Sequence, residues 1–234
     1  IDLGITYLDT SPDYGSEPVL GEVMKTRCDE VFLATKINNR SRDGVRKELE
    51  DSLKKLETDH VDLIQVHAVN AWADLEMVLA PDGALPALEQ ARDEGLVRYI
   101  GITHYTASAY PEVEAVLKSR KLDFLQINYA FDDREAAERL LPLAADRGVA
   151  VIVNRPFGGG GLLRRLRDEP LPGWAAEIGA TSWAQVLLKF VLSHPAVTCA
   201  IPGTSRAEHM ADNVAAGRGV LPEPGFWAGK VLPG

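Results

Sequence analysis

What this chain has little of excludes several classes of protein. Its 234 residues hold two cysteines, Cys28 and Cys199, far apart and without metal-ligand spacing, so they read as thiols in a reducing compartment rather than as a disulfide framework. Positive charge is scarce: 25 Lys and Arg stand against 34 Asp and Glu, a net charge of −9. That balance argues against nucleic acid or an anionic membrane as the main partner, while leaving room for a phosphate-bearing cofactor held by a few local donors. No apolar run approaches the roughly 20 residues of a membrane span. No GxGxxG fingerprint opens a helix, which removes the nucleotide site of a doubly wound dinucleotide-binding domain. His, Cys and carboxylates show no metal spacing, so no metal is expected. There is no initiator Met; the chain opens at Ile1-Asp2-Leu3-Gly4 directly before its first strand, as if the tail of a helix came first. The expectation is therefore a cytoplasmic protein by default, with an export signal upstream left open.

Strand and helix signals do alternate from end to end. Short apolar runs at 5–8, 31–35, 61–66, 97–102, 124–128, 149–153 and 197–201 read as strands. Helices are expected over 16–25 with Ser16 as N-cap, 41–57, 86–94 with Pro86 in first position, 110–118, 134–147, 183–192 and 206–215. The stretch between His67 and Pro86 reads as a loop, Gly158 to Gly161 as a flexible loop, and Arg164, Arg165 and Arg167 as a solvated basic cluster. Repeated βα units with continuous apolar strands mean a parallel sheet. Candidate functional residues end many different strands, which favours a (β/α)8 TIM barrel over an open sheet. Seven strands are one short of eight, so a single domain over 1–234 lacking its first strand and most of its first helix is expected.

Four ionisable residues carry the chemistry. Asp9, Lys36 and His67 each close a predicted strand, and Tyr14 lies five residues beyond Asp9. If those strands are parallel neighbours, all four gather at one rim. A free tyrosine titrates near pH 10, too high to donate readily at neutral pH. A lysine ammonium beside it, held by a carboxylate, would lower that value and make a general acid. A neutral histidine alongside could hydrogen-bond and orient a substrate oxygen. The set suits protonation of a carbonyl oxygen while hydride reaches its carbon.

The segments Tyr7-Leu8-Asp9-Thr10 with Tyr14-Gly15, Ala34-Thr35-Lys36, Leu63-Ile64-Gln65-Val66-His67, Tyr99-Ile100-Gly101-Ile102-Thr103, Leu125-Gln126-Ile127-Asn128-Tyr129 and Ile201-Pro202-Gly203-Thr204-Ser205 resemble, in order, those of the aldo-keto reductases. The resemblance implies an NAD(P)H-dependent reductase of aldehydes or ketones, with Tyr14 as acid, Lys36 and Asp9 tuning it, and His67 orienting the substrate. It implies that Thr103, His104 and Gln126 hold the nicotinamide carboxamide, although the family usually has serine and asparagine where Thr103 and His104 stand. Asn154, Arg155, Phe157 and Gly158 would line the cofactor, but Asn154 replaces the aromatic ring that commonly stacks on the nicotinamide. Thr204, Ser205 and Arg206 would receive phosphate at a helix start, and Asp212 and Asn213 would hold the adenine. Gly203 and His209 stand where NADP-preferring members often carry lysine and arginine; Arg206 offers a substitute, so NADP is expected and NAD is the alternative. Trp72 and Trp227 are candidates for walls of the substrate pocket. Two other uses of such a barrel are weighed: a non-catalytic, redox-sensing cofactor-binding subunit, and a lyase or isomerase, for which Lys36 would be the one Schiff-base candidate.

Overall fold

The computed structural model describes residues 1–233. The chain divides into two compact units, Ile1–Leu125 and Gln126–Gly234. In the first unit four strands, β1 (Tyr7–Asp9), β2 (Phe32–Ile37), β3 (Val61–Val66) and β4 (Val97–Thr103), run parallel in chain order. The register sets Asp9 opposite Ala34, Lys36 opposite Gln65, and Val66 opposite Ile102. Because every strand runs the same way, the residues that close them come out at one rim. At the other ends of the strands Tyr7, Phe32, Tyr99 and Phe124 form an aromatic cluster, with Phe32 stacked on both Tyr7 (5.5 Å) and Tyr99 (5.8 Å).

The helices of this unit are α1 (Glu17–Arg27), α2 (Arg42–Leu56), α3 (Trp72–Leu79), α4 (Ala84–Asp93) and α5 (Tyr110–Ser119). In α2, Val45, Leu49, Leu53 and Leu56 are buried on one stripe, as their spacing demands, and Ser41 caps the helix by accepting from the Gly44 N–H. Gly21 lets α1 approach α2 closely: a Cβ there would meet the Lys55 carbonyl oxygen at 2.2 Å. Ser16 departs from expectation. Its hydroxyl pairs with that of Thr10 at 2.8 Å instead of capping α1, so no side-chain cap closes that helix start.

Helix α3 occupies the stretch read as loop. Leu75 and Val78 bury two positions of it, too few to give a clear period in sequence. Pro86 is the third residue of α4, still within the first turn, where a backbone N–H has no intrahelical acceptor.

Strand β5 (Phe124–Asn128) passes from the first unit to the second, which adds the parallel pair β6 (Ala150–Asn154) and β7 (Val197–Ala200). The expected helix over 134–147 is broken into α6 (Glu135–Glu138) and α7 (Leu140–Asp146) at Arg139, whose φ of −134° and ψ of −62° lie off the helical values. Gly158 to Gly161 takes helical turns where a loop is expected: a 3-10 turn over Gly158–Gly160 leads into α8 (Gly161–Arg165), with Gly158, Gly159 and Gly160 all at positive φ. Arg164 and Arg165 are exposed on this short helix. Helix α9 (Trp183–Leu192) is buried along most of its length and capped by Ser182, and α10 (Ala207–Ala216) is followed by a 3-10 turn over Pro224–Trp227. Trp227 packs with Phe131, Phe190, Trp174 and Phe226 within this unit and donates to Ser193 Oγ at 3.0 Å. Among the described residues no helix is long and apolar enough to cross a membrane.

Candidate active site

The rim of the first unit brings Asp9, Tyr14, Lys36 and His67 together. Lys36 is fully buried, and its ammonium donates to Asp9 Oδ2 at 2.6 Å and to the Thr10 carbonyl at 2.8 Å. Tyr14 ends a 3-10 turn (Pro12–Tyr14) that Ser11 caps and Gly15 closes at φ +69°. That turn folds the tyrosine back over the lysine, whose Nζ lies 5.0 Å from the ring centroid. The His67 ring meets the Tyr14 ring edge-on, 6.3 Å between centroids. Tyr14 remains half exposed.

The electrostatics differ from the simple expectation. The Tyr14 phenol is pushed up to about 12, first by burial and then by the carboxylates of Asp9 and Asp13. The Lys36 ammonium, committed to Asp9 and Thr10 and, among the described residues, without a hydrogen bond to the phenol, does not outweigh these effects. Burial drives Asp9 up and Lys36 down, each opposed by the charge of the other. At neutral pH the phenol keeps its proton and gives it up less readily than a free tyrosine, contrary to the lowering expected from Lys36.

Burial, followed by the nearby ammonium of Lys36, also lowers His67, so the imidazole is neutral at pH 7. Its tautomer follows from Asn38. The Asn38 amide nitrogen donates to Asp13 Oδ1 (3.1 Å) and Glu48 Oε1 (3.2 Å), which turns its oxygen toward His67 Nδ1 at 3.0 Å. Nδ1 therefore carries the proton and Nε2 is the acceptor. Neutral His67 can receive a hydrogen bond from a hydroxyl, not give one to a carbonyl.

Other predicted residues fall as follows. Thr103 closes β4, buried, and its hydroxyl accepts from the Ala68 N–H at 3.3 Å. His104 is buried with both ring nitrogens engaged: Nδ1 accepts from the Thr106 N–H (3.1 Å), and Nε2 faces Asn70 Oδ1 at 2.6 Å. Binding a carboxamide through His104 would require one of these bonds to be given up. In the second unit Gln126 and Phe157 are buried, Asn154 closes β6 half-buried, and Gly158 is exposed. Arg155 is exposed and holds φ +49°, a left-handed turn at the strand exit. Arg206 takes the N-cap position of α10 without a side-chain capping bond and pairs with Glu208 at 2.5 Å; Thr204 and Ser205 precede the helix and His209 lies in its first turn. Asp212 is turned away from a ligand role: its two oxygens accept from Ser182 Oγ and Gln185 Nε2, both at 2.6 Å, tying α10 to the start of α9. Asn213 is buried. Trp72, on the first turn of α3, is exposed, and Trp227 is buried in the aromatic cluster of its own unit.

Sequence reading missed the residues around His67: Asp13, Asn38, Arg40, Asn70 and Asp74. Tyr105 was missed as well; it stacks on His104 at 5.0 Å and helps raise Tyr14. None lies within a strand, so the only available signal was their clustering just after β1, β2, β3 and β4.

Comparison with known proteins is consistent with this chemistry. A family model described as the aldo/keto reductase family matches residues 1–225. The chain is 28% identical to the uncharacterized oxidoreductase YqkF of Bacillus subtilis, over 92% of this chain and 79% of that protein. It is 29% identical to methylglyoxal reductase YeaE of Escherichia coli, over 92% of this chain and 75% of that protein. Among solved structures, an aldo/keto reductase from Klebsiella pneumoniae in complex with NADP and acetate matches with a TM-score of 0.79 at 27% identity, covering 94% of this chain and 77% of that one. The chain belongs to the aldo/keto reductase family. It is an NAD(P)-dependent oxidoreductase, and its fold is the (β/α)8 barrel of that family short of its first strand.

Proposed function

We propose that this protein reduces an aldehyde or ketone to an alcohol, with Tyr14 delivering the proton to the carbonyl oxygen. The observation that carries this reading is the buried Lys36–Asp9 pair lying beneath a half-exposed Tyr14. As the proton leaves Tyr14, the lysine ammonium 5.0 Å from the ring centre faces the developing phenolate. The new substrate O–H finds an acceptor in His67 Nε2, so the histidine orients the product hydroxyl.

NADP fits the donors available. Its nicotinamide supplies the hydride. Thr103 offers a hydroxyl at the β4 exit, and Gln126 an amide. In the second unit Thr204 and Ser205 precede α10 and Arg206 takes its N-cap position, ahead of leading N–H groups that lack intrahelical acceptors and a helix dipole that favours phosphate. His209 lies exposed on the same helix, and Asn154, Arg155, Phe157 and Gly158 follow β6; we assign these residues to the cofactor. Asp212 acts through its hold on α9, and Asn213 packs beneath. The complex of the Klebsiella pneumoniae relative with NADP and the name of the Escherichia coli methylglyoxal reductase support the cofactor and a small carbonyl substrate. We further propose that residues 1–234 act as one domain in this reaction and that the protein works in the cytoplasm.

Titration with NADPH and separately NADH, followed by cofactor fluorescence, tests the cofactor. Tyr14→Phe tests the chemistry: turnover should fall at least about 100-fold with NADPH affinity nearly unchanged. Normal turnover in that variant would overturn the mechanism. Saturable cofactor binding without turnover of any carbonyl by the unaltered protein would instead favour a redox-sensing subunit.

A further inference from the structure

The residue after His67 is strained. Ala68 holds φ +50°, a left-handed conformation that costs a non-glycine residue about 1 kcal/mol or more. Strain of this kind persists only where its surroundings impose it, and two groups do so. The Thr103 hydroxyl takes the Ala68 N–H, and Arg40 reaches over from the β2 exit. The Arg40 guanidinium donates through Nη2 to the carbonyls of His67 (2.6 Å) and Ala68 (3.4 Å), and through Nη1 to that of Asn38 (3.0 Å). Its remaining edge grips Asp74 of α3 bidentately, Nε to Oδ1 at 2.5 Å and Nη2 to Oδ2 at 3.2 Å. Asp74 Oδ2 in turn accepts the Asn70 N–H at 3.0 Å, and Asn70 holds His104. Both charges are largely withdrawn from water, 13% and 17% exposed, so the pair is geometrically fixed rather than a screened surface contact.

We propose that Arg40 is a positioning residue for His67: by fastening the carbonyls of His67 and Ala68 to Asp74, it fixes the backbone turn that sets the imidazole against Tyr14. The proposal rests on the reading of His67 as the orienting group. It explains why the fork is arginine, since three carbonyls and a bidentate carboxylate need planar, divergent donors that a lysine lacks. Removing Arg40 also takes one of the cations facing His67. Those facing groups are Lys36 from β2, Asp13 and Tyr14 from the first turn, and Arg40 itself, with Asp13 pulling in the opposite direction.

The test compares Arg40→Lys, Arg40→Met and Asp74→Asn. Arg40→Met should lower kcat by about 10- to 100-fold with NADPH affinity within twofold, and Arg40→Lys should recover little. Two readouts need no turnover. Exchange of the Ala68 amide should quicken at least about tenfold in Arg40→Met and Asp74→Asn, because the left-handed turn loosens. The NMR titration midpoint of His67 should rise in Arg40→Met. If Arg40→Met does not fold, Asp74→Asn alone must show the quickened exchange. An unchanged Ala68 amide and His67 midpoint would overturn the proposal even if the protein is an active reductase. Absence of turnover in the unaltered protein would overturn the proposed function while leaving the Arg40 clamp measurable.

Discussion

Replacing Lys36 by methionine isolates the pair at the centre of the site. Methionine fills nearly the same volume, so the loss is chiefly electrostatic. Lys36 is fully buried, and its departure leaves the Asp9 carboxylate, with 8% of its side chain exposed, without its 2.6 Å partner. The Thr10 carbonyl loses its 2.8 Å donor as well. Breaking one side of a buried ion pair costs about 3–5 kcal/mol, and an orphaned buried acceptor about 1–3 kcal/mol. The two penalties overlap, because relaxation at one relieves the other, so about 4 kcal/mol is the expected total. For a chain of this size that is a fall in Tm on the order of 10 °C.

A double-mutant cycle with Asp9→Asn assigns the effect. Once the carboxylate is neutral, Lys36→Met should cost far less, with a coupling energy of about 2 kcal/mol by urea unfolding at pH 7.5. The dependence on pH has a definite sign. Burial raises Asp9 in the folded protein, so unpaired Asp9 destabilises fully above that raised value, and the penalty shrinks as pH falls toward the unfolded value near 3.9. The gap between variant and parent should therefore be smaller at pH 5 than at pH 8. A coupling below about 0.5 kcal/mol would refute the claim that the pair, rather than the packing of the lysine stem, holds the rim together.

Two further outcomes are expected. Burial and Lys36 keep His67 below its usual value near 6.5, so the stability it lends is complete above that pH and is lost as pH falls through the lower folded value. The acid limb of kcat/KM should accordingly lie below pH 6.5, and a limb above 6.5 would contradict neutral His67. Asp212→Ala removes the acceptor of Ser182 and Gln185 and should destabilise the protein by about 1–3 kcal/mol in urea unfolding, with cofactor affinity falling only as α10 loosens. A large loss of affinity without loss of stability would return Asp212 to direct contact with the ligand.

Much of this was legible in the residues themselves. The strands show as apolar runs because a parallel sheet buries both faces, and α2 shows through Val45, Leu49, Leu53 and Leu56. Asp9, Lys36 and His67 stand at strand ends, so local sequence already implied a shared rim once the strands were taken as parallel neighbours. Helix α3 was hidden because only Leu75 and Val78 of it are buried, and the break at Arg139 leaves no mark stronger than an ordinary charged residue.

The sequence by itself determined the succession of βα units, the identity of the ionisable set, and the net charge of −9. Those properties depend on composition and short-range periodicity, which a linear chain displays. Only the tertiary structure decided the direction of hydrogen bonds and the sign of the Tyr14 shift. It also decided that His104 and Asp212 are already engaged, and that Arg40 reaches from one strand exit to the next. Each of those depends on atoms placed within about 3 Å of one another by distant segments, and on how far burial removes them from water. A residue's position in sequence carries neither quantity.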